Sequence, residues 1–497
     1  MNPTNKLGAA LGMTIAVLLT VGAAIVALSA NQPGTAPPNA TAPAAGGGSA
    51  APSDQAGAAL RAPRTGTFQD SRIPGYDPAA PAPTADKAQS KLWFAAGSWW
   101  AVMIEPTTNT FRIHRLDWKT QEWQDTGTVV DERASTEADV LWDGKKLYVA
   151  SAGSTPYKNQ AGRLSRYSLD PDAGTWTLDK GFPVQITSRG VSTIVVERDT
   201  TGTLWVSYID AGSLLINRSV GGDATWGKPF GLPLEGVDPT AARASIVAID
   251  GRVAVIWSNK AENALFLATH RDGAPDDRWE AQRTDVEGAN ETDDHLNAKV
   301  GIVDGEARIY VAMKTSLDVA PNVNVNDAQI LVLEIRLDGT VHKYLAGRIR
   351  DRHTRPVVVI DQTHETLYLV ATAPFGGGQV YYKRTPLDRI AFSPGHGTQL
   401  IASDADPLIN DVTTTKQAVS PESGIVMLAF DRSTGRYLHG VIDLGGARWD
   451  AKSRPSDNPG PAPAPTASSP ASEAPASPAT SPAGSAGSSA APSAAPS

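Results

Sequence analysis

Basic side chains recur at comparable places in seven successive segments of this chain. Each stands close to the start of an apolar stretch, often in a polar phrase such as Thr187-Ser188-Arg189. The seven residues are Lys91, Arg133, Arg189, Arg243, Lys299, Arg355 and Lys416. Guanidinium and ammonium groups bind carboxylate, sulfate and phosphate through charge-assisted hydrogen bonds, and guanidinium does so in a bidentate manner. If these cations converge on one opening, they form a binding site for an anion.

Two histidines stand in the same loops and extend the predicted site. The ligand-binding residues that we predict are Arg133, Arg189, Arg243, His295, Lys299, His353, Arg355 and Lys416. The alternative is that exposed loops carry Lys and Arg in any case, and that either histidine caps a turn. Because Arg133 lies ten residues before its turn aspartate and Lys299 only five, not all of the cations are expected to point the same way.

Asp293, Asp294 and His295 are residue types that bind metal ions. Adjacent residues of an extended loop point in alternating directions, so we expect the three not to share one ion. The sequence has no phosphate-binding loop, zinc cluster, nucleophile elbow or dinucleotide fingerprint. We therefore expect neither a metal nor a cofactor.

A short apolar phrase accompanies these cations and is repeated seven times. The copies lie at residues 100–103, 147–150, 204–207, 253–256, 309–312, 367–370 and 425–428. Their starts are 47 to 58 residues apart, and a period near 50 built from short strands and turns is typical of propeller blades. The sequence predicts an all-β, seven-bladed β-propeller, with six blades and an extra hairpin as the alternative.

Tight turns separate the first two strands of several units. Asp143-Gly144, Asp250-Gly251 and Asp304-Gly305 are typical of two-residue hairpin loops, whose residues need positive φ angles. The seventh unit has two inner strands, predicted at 417–420 and 425–430, and a third at 437–444. Its outer strand is expected to be absent or donated from upstream of residue 92, which would join the two ends of the ring.

The ends of the chain differ in composition from its middle. We predict an N-terminal membrane anchor or signal peptide at 1–30, a disordered Ala/Pro/Gly-rich stalk at 31–87, the propeller at 88–450 and a disordered Pro/Ala/Ser-rich tail at 451–497. Residues 7–30 form an apolar run preceded by Lys6, long enough to span a bilayer. As an anchor this run holds the propeller at the cell surface outside the cytoplasm; if cleaved, it leaves a secreted protein.

Charge and cysteine content exclude two further possibilities. The net charge of −8 argues against a nucleic-acid partner. With no cysteine among its 497 residues, the chain has no disulfide and depends on burial of its core, which a domain of this size can supply. We expect a monomer.

Two turns resemble the Asp-box hairpin, Ser-x-Asp-x-Gly-x-Thr-Trp, of bacterial sialidases. They read SLDPDAGTW at 168–176 and SVGGDATW at 219–226. The first has two extra residues before its Gly and none between Gly and Thr, and the second has Gly221 in the place of the Asp. The region 92–444 is therefore similar to the sialidase-like propeller family, whose exported members are mostly uncharacterised. In that family the box shapes the blade rim and takes no part in catalysis.

The resemblance also implies what a sialidase site requires. Three arginines hold the substrate carboxylate, a tyrosine activated by a glutamate is the nucleophile, and an aspartate is the acid and base. Arg189, Arg243 and Arg355 are available as the three arginines. The other groups have no clear match, and the catalytic candidates are Tyr382, Asp293, Asp294 and Glu137.

These observations support three hypotheses about function. The leading one is a surface-tethered propeller outside the cytoplasm that binds an anionic ligand, an acidic glycan, at a basic central mouth. The first alternative is an exo-sialidase or related glycoside hydrolase that uses the same arginines. The second is a scaffold that binds another envelope protein across the propeller face.

Overall fold

The computed structural model describes residues 64–153, 157–233, 240–403 and 407–445. The chain divides into a unit of residues 1–60, which lies outside these ranges, and a unit of residues 61–497. The described residues form seven antiparallel sheets, which are the blades of a β-propeller. The predicted seven-bladed architecture is confirmed, and the six-bladed alternative is wrong. The predicted segments 1–30 and 451–497 lie outside the described residues.

The first strand, β1 Arg64–Arg72, belongs to the last blade. Blade 1 consists of β2 Leu92–Ala95, β3 Ser98–Glu105, β4 Thr110–Asp117 and β5 Glu122–Asp131. Blade 2 consists of β6 Glu137–Trp142, β7 Lys146–Ala152, β8 Arg163–Asp170, β9 Thr175–Leu178 and β10 Val184–Gln185, the last two both pairing with β8. Blade 3 consists of β11 Ser192–Arg198, β12 Leu204–Asp210 and β13 Ser213–Arg218.

The later blades follow the same plan from the inner strand outward. Blade 4 consists of β14 Arg243–Ile249, β15 Arg252–Asn259, β16 Ala264–Arg271 and β17 Trp279–Glu287. Blade 5 consists of β18 Leu296–Val303, β19 Glu306–Lys314, β20 Ala328–Ile335 and β21 Val341–Arg348. Blade 6 consists of β22 Thr354–Asp361, β23 Thr366–Ala373, β24 Gln379–Pro386 and β25 Thr398–Ile401. Blade 7 contains β26 Ile425–Asp431 and β27 Arg436–Asp443, and the described residues also include two 3₁₀ turns, Leu317–Val319 and Ile349–Asp351.

The repeated apolar phrase lies in the strand next to the innermost one. In blades 1 to 6 it falls within β3, β7, β12, β15, β19 and β23, and in blade 7 it falls within β26. Every residue of the seven copies is buried. These strands pack against neighbouring blades on both faces, which is why they read as continuous apolar runs rather than as an alternating pattern.

The hairpin turns of blades 4 and 5 have the backbone that their sequence predicts. Asp250 and Gly251 have φ angles of 43° and 68°, and Asp304 and Gly305 have φ angles of 52° and 80°. Asp and Gly tolerate this left-handed region better than most residues, which keeps the first two strands of each blade in register.

Blade 7 is closed by a strand from the other end of the chain. β1 pairs antiparallel with β27, so that Phe68 lies opposite His439. Donation of the outer strand from upstream of residue 92 is thereby confirmed. The prediction that all of residues 31–87 form a disordered stalk is wrong from residue 64 onward, because β1 supplies the blade's missing edge and Ile73 lies in the core.

The innermost part of blade 7 also differs from the prediction. The segment 417–420 does not pair with β26; instead Thr413 exchanges backbone hydrogen bonds with Leu428, and Ile409 bridges to Asp431. Val419 bridges to Asp361 of blade 6. The inner edge of this blade is therefore irregular, and it lies a few residues earlier in the chain than the apolar pattern indicated.

Tryptophans pack together where blades 1 and 2 meet. The ring of Trp176, from the first predicted Asp-box, lies edge to face with Trp93, Trp100 and Trp142 at centroid distances of 5.4 to 5.5 Å. Asp170 accepts backbone hydrogen bonds in the turn before it. Aromatic pairs of this geometry stabilise an interface beyond the area that they bury. The turn thus anchors one blade to the next.

Neither helical turn among the described residues is long and apolar enough to cross a membrane. The predicted anchor or signal segment, residues 7–30, lies outside the described ranges and stays a prediction.

A buried ion pair fixes the closing strand, and its removal should loosen the ring. His439 is fully buried, with its Nδ1 2.8 Å from an Asp70 oxygen and its Nε2 3.1 Å from Gln121 Oε1. Asp70→Ala leaves the imidazole without its partner, so we expect the free energy of unfolding to fall by about 3 kcal/mol. Urea unfolding measures the change. The exposed Asp277→Ala variant is the control, and an equal loss in that variant would show that Asp70 has no special role in closure.

Candidate functional site

A buried stretch of chain occupies the centre of the propeller. Residues 84–91, here called the axial segment, connect β1 to the inner strand of blade 1. All of its described side chains are buried except that of Ala85, which is half-buried. The inner strands of the blades therefore surround protein rather than an open channel along this part of the axis.

Hydrogen bonds tie the axial segment to most of the blades. Thr84 donates to the carbonyl of Asp411 in blade 7, and the Gln89 amide donates to the carbonyl of Ile194 in blade 3. Asn297 of blade 5 donates to the carbonyl of Lys87 and accepts the Val358 N–H of blade 6. The turn at Asp86–Gln89 satisfies part of the segment's backbone from within, and the surrounding blades satisfy further groups, as a buried segment requires.

Asp139 of blade 2 makes the most concentrated of these contacts. Its carboxylate accepts the N–H of Ser90 at 2.7 Å and the N–H of Val196 in blade 3 at 2.7 Å. The Lys416 ammonium lies 2.7 Å from the same carboxylate, which is completely buried. One side chain thus joins the axial segment, two blades and the lysine of blade 7.

Asp86 neutralises one of the predicted cations. Arg243 Nε lies 2.8 Å from Asp86, and Thr193 Oγ1 donates to the same carboxylate at 3.0 Å. Burial acts to raise the pKa of Asp86, but Arg243 and Lys87 outweigh it and hold that pKa far below its usual range. Asp294 lies 3.7 Å from the other side of the guanidinium. Arg243 is therefore occupied by the protein's own carboxylates.

The other predicted arginines are paired in the same way. Arg133 is buried against Asp131 at 2.6 Å. Arg189 is more than half exposed and pairs with Asp210 at 2.7 Å, whereas Arg355 pairs with Asp411 at 3.1 Å. Each arginine thus has its own aspartate, and no described carboxylate pairs with more than one of them.

Lys91 directly precedes β2, the inner strand of blade 1, and its side chain is buried. Its ammonium donates to Gln89 Oε1 at 2.8 Å and to the carbonyl of Ala138. Burial lowers its pKa to about 8. Lys91 therefore stabilises the axial segment, and it does not line the cavity described below.

Asp293, Asp294 and His295 come together, against the expectation for an extended loop. His295 Nδ1 lies 2.8 Å from Asp293 and 2.7 Å from Asp294. Lys314 Nζ lies 2.8 Å from Asp293 and 3.1 Å from Asp318. The ligand types and their separations suit a cation. The Lys314 ammonium supplies positive charge to Asp293 within the protein.

The remaining candidates are dispersed. His353 is buried in blade 6, where its Nε2 lies 3.1 Å from the carbonyl of His396, and burial lowers its pKa to about 4. Tyr382 packs within the blade core beside Tyr368, and burial raises its pKa. Glu137 accepts the Thr193 N–H, and burial raises its pKa as well. The structure therefore does not bring Tyr382 together with a glutamate.

Two predicted lysines do meet, in a cavity on the propeller axis. The cavity has a volume of about 230 Å³ and lies along the later residues of the inner strands β6, β11, β14 and β18, with Ala88 of the axial segment in its wall. Lys299 of β18 and Lys416 line it, together with Glu197 and Trp142. We call this space the axial cavity.

The charges around the axial cavity are not balanced. Lys416 is paired with Asp139, but Lys299 forms no ion pair with any described carboxylate and contacts only Ser90 Oγ, at 3.2 Å. Burial and, to a lesser extent, the Lys416 charge lower the pKa of Lys299 to about 7, although Asp139 and Glu197 oppose the shift. Burial raises the pKa of Glu197. Lys299 thus readily gains or loses its proton near neutral pH.

A second space adjoins the axial cavity and leads away between blades 4 and 5. It has a volume of about 600 Å³ and shares Ala248 and Val300 with the axial cavity. Arg336, Asp338 and Glu306 line its outer part. The two spaces are therefore neighbours beside the inner strands of blades 4 and 5.

The sequence predicts Lys299 and Lys416 as ligand-binding residues, but it does not predict the groups that surround them. Glu197 was missed because it stands inside a strand, not ahead of one. The axial segment was missed because Ala, Ser, Gln and Lys near a low-complexity stretch read as linker. The only signal was the alternation of small and polar residues just before Leu92.

Comparison with known proteins shows the fold and no family. No family model matches the chain, and no curated protein matches it. Solved structures that are similar include an ulvan lyase of polysaccharide lyase family PL25 bound to -[GlcA(1-4)Rha3S]- (11% identity, 77% of this chain and 97% of that chain, TM-score 0.49). Another is a Penicillium chrysogenum α-L-arabinanase with arabinobiose (12% identity, 65% of this chain and 99% of that chain, TM-score 0.39). A third is the K499G mutant of NanB sialidase from Streptococcus pneumoniae (12% identity, 62% of this chain and 52% of that chain, TM-score 0.29).

The names of these three structures describe proteins that act on glycans. Because their sequence identity to this chain is low, the similarity shows the propeller fold alone. Membership of the sialidase family is not confirmed.

Removal of Asp139 should destabilise the centre of the propeller. Asp139→Ala leaves two buried N–H groups without an acceptor and the Lys416 ammonium without its counter-charge, so we expect a loss of about 3 to 5 kcal/mol in the free energy of unfolding. In Asp139→Ala/Lys416→Met the stranded charge is gone, and we expect the double variant to be more stable than the sum of the two single changes predicts by about 1 to 3 kcal/mol. Urea unfolding of all four proteins completes the cycle. Strict additivity would contradict the pairing.

Lys299 should reduce stability in a pH-dependent manner. Below pH 7 both the folded and the unfolded chain hold the proton, and the buried charge has its full cost. Between pH 7 and the ordinary value of 10.5 the unfolded chain binds a proton that the folded chain does not, so the cost shrinks as pH rises.

We therefore expect Lys299→Met to stabilise the protein by roughly 2 to 4 kcal/mol at pH 6 and by much less at pH 10. Chemical unfolding at both pH values, each relative to wild type, measures the difference. Lys145→Met, at an exposed position, is the matched control. A stability gain in Lys299→Met that does not change with pH would contradict the lowered pKa of Lys299.

Proposed function

We propose that the protein binds an acidic sugar, at the end of a glycan chain, in the axial cavity. The observation that carries this proposal is that Lys299 and Lys416 line one cavity, with only Lys416 paired to a carboxylate. An anionic ligand placed between the two ammonium groups supplies the missing negative charge. A carboxylate or sulfate there gains charge-assisted hydrogen bonds in a partly dry site, where they are strong.

The walls of the cavity suit a sugar ring. Small-molecule sites are mostly apolar and aromatic, with a few polar groups that fix the ligand's orientation. Val140, Val195 and Ile246 offer apolar walls, and the Glu197 carboxyl offers a hydrogen-bonding group for hydroxyls. A volume of about 230 Å³ holds one sugar residue rather than a long chain.

The adjoining space favours a chain end over a free ion. A glycan whose last residue enters the axial cavity can continue along the space between blades 4 and 5, past Arg336. Inorganic phosphate or sulfate would leave that space unused. The proposal therefore keeps the acidic glycan of the leading hypothesis and moves its site from a ring of arginines to the axial lysines.

The proposal extends to location. Residues 7–30 are proposed to export the chain and to hold it at the membrane, so that the propeller meets glycans outside the cytoplasm. Hydrolysis of the sialidase type receives no comparable support, because Tyr382 does not line the axial cavity and Arg189, Arg243 and Arg355 each have their own aspartate.

Calorimetric titration of the full chain with glucuronic acid at pH 6 tests the proposal. We expect saturable binding of the acid and none of glucose, which lacks the charge. Lys299→Met should weaken binding by at least about tenfold, or roughly 1.4 kcal/mol. Lys145→Met should bind as wild type does.

Binding should also depend on pH. The bound anion favours the charged amine, so affinity is expected to fall by up to about tenfold per pH unit above pH 7, with proton uptake visible as a dependence of the heat on buffer. Equal binding of glucose, or a loss on Arg189→Met with none on Lys299→Met, would overturn the proposed site.

A further inference from the structure

Lys299 combines features that are rarely found together in a lysine. Its side chain is only 6% exposed, yet it lines a cavity that a small molecule can fill. It has no carboxylate partner among the described residues, and its one hydrogen bond is to the hydroxyl of Ser90. A buried amine next to a second cation favours its neutral form, and the neutral amine is the nucleophile of Schiff-base chemistry.

We propose that Lys299 forms a reversible imine with a ligand that carries both an acidic group and an aldehyde or ketone. This inference rests on the proposed function, since the same cavity binds the acid. It narrows the ligand to carbonyl-bearing acids, such as the open-chain form of an acidic sugar at a reducing end.

The groups around Lys299 have complementary roles in this step. Lys416, held in place by Asp139, is positioned to bind the acidic group of the ligand. The Lys299 Nζ lone pair then forms a bond to the carbonyl carbon as the C=O π pair moves to oxygen, and one proton passes from Nζ to that oxygen to give a neutral carbinolamine. The hydroxyl is protonated and leaves as water, and the iminium nitrogen then gives up its remaining proton to leave the imine. No oxidant or reductant is needed.

Glu197 is the group that can supply the proton. It lines the same cavity, it acts electrostatically on Lys299, and burial raises the pKa of its carboxyl. In its acid form Glu197 can protonate the departing hydroxyl, and its carboxylate then takes back the proton that the iminium nitrogen loses. The charged groups that act on Lys299 are Lys416, Asp139 and Glu197. Of these only Lys416 favours the neutral amine, and burial provides the rest.

Reductive trapping tests the inference on the wild-type full chain. Glyoxylate, an aldehyde with a carboxylate, is added at pH 7 with cyanoborohydride, which reduces an imine to a stable carboxymethyl amine. Peptide mass mapping then compares labelling at Lys299 with labelling at the exposed Lys145. We expect Lys299 to react roughly a hundredfold faster, because an ordinary lysine is almost wholly protonated at this pH.

Formaldehyde provides the matched neutral probe. The preference for Lys299 over Lys145 should be greater with glyoxylate than with formaldehyde, because Lys416 attracts only the acid. Lys299→Arg keeps a cation without a reactive amine and should lose the cavity label, while Lys145 is labelled as before.

The outcomes separate this inference from the proposed function. Labelling of Lys299 no faster than that of Lys145 would overturn the imine, and calorimetric binding of glucuronic acid could still stand. Fast labelling of Lys299 by both probes, with no preference for glyoxylate and no calorimetric binding, would instead remove the acidic ligand. Because the wild-type comparison needs no variant, poor folding of Lys299→Arg leaves the test intact.

Discussion

The completely buried carboxylate of Asp139 is the interaction on which the centre of this propeller depends. It accepts backbone hydrogen bonds from the axial segment and from blade 3, and it pairs with Lys416 from blade 7. A buried charge is tolerated only where such partners surround it. Each partner is therefore fixed relative to the others: Ser90 closes one part of the axis, Val196 is held beside blade 2, and the Lys416 ammonium is held at the wall of the axial cavity.

The axial segment explains why the predicted ring of cations divides into two groups. Its Asp86 neutralises Arg243, and other aspartates neutralise Arg133, Arg189 and Arg355. Arg133 is buried with its partner, so removal of Asp131 would leave an uncompensated buried charge, whereas Arg189 is exposed and its ion pair with Asp210 contributes little to stability. Lys299 donates a hydrogen bond to Ser90 of the axial segment, and no described carboxylate pairs with it. Lys299 and Lys416 are the two predicted cations that line the axial cavity.

The sequence predicts the fold better than the site, for a physical reason. Strand cores such as residues 309–312 must be apolar because they pack on both faces, so the pattern of burial is visible in the residue types. The setting of Lys299 depends on what lies opposite it, namely Ser90 of a segment that reads as linker and Lys416, more than a hundred residues away in the chain. The balance of charge around a lysine depends on how the blades assemble. Residue spacing therefore predicts the positions of the lysines but not the groups that surround them.

The free-energy cost of burying an amine in the axial cavity raises the question of why position 299 is a lysine. A methionine of similar length would fill the same space and avoid the cost of a buried amine, whose pKa of about 7 reflects how poorly the surrounding protein groups accommodate its charge. Proteins retain such costs chiefly where function requires them. An acidic ligand turns the unfavourable contribution of the Lys299 charge into a favourable one, because the ligand pairs with the ammonium that the protein leaves unpaired. The residue that weakens the free protein is then the one that gains most from the ligand, whether it binds the ligand as a cation or reacts with it as an amine.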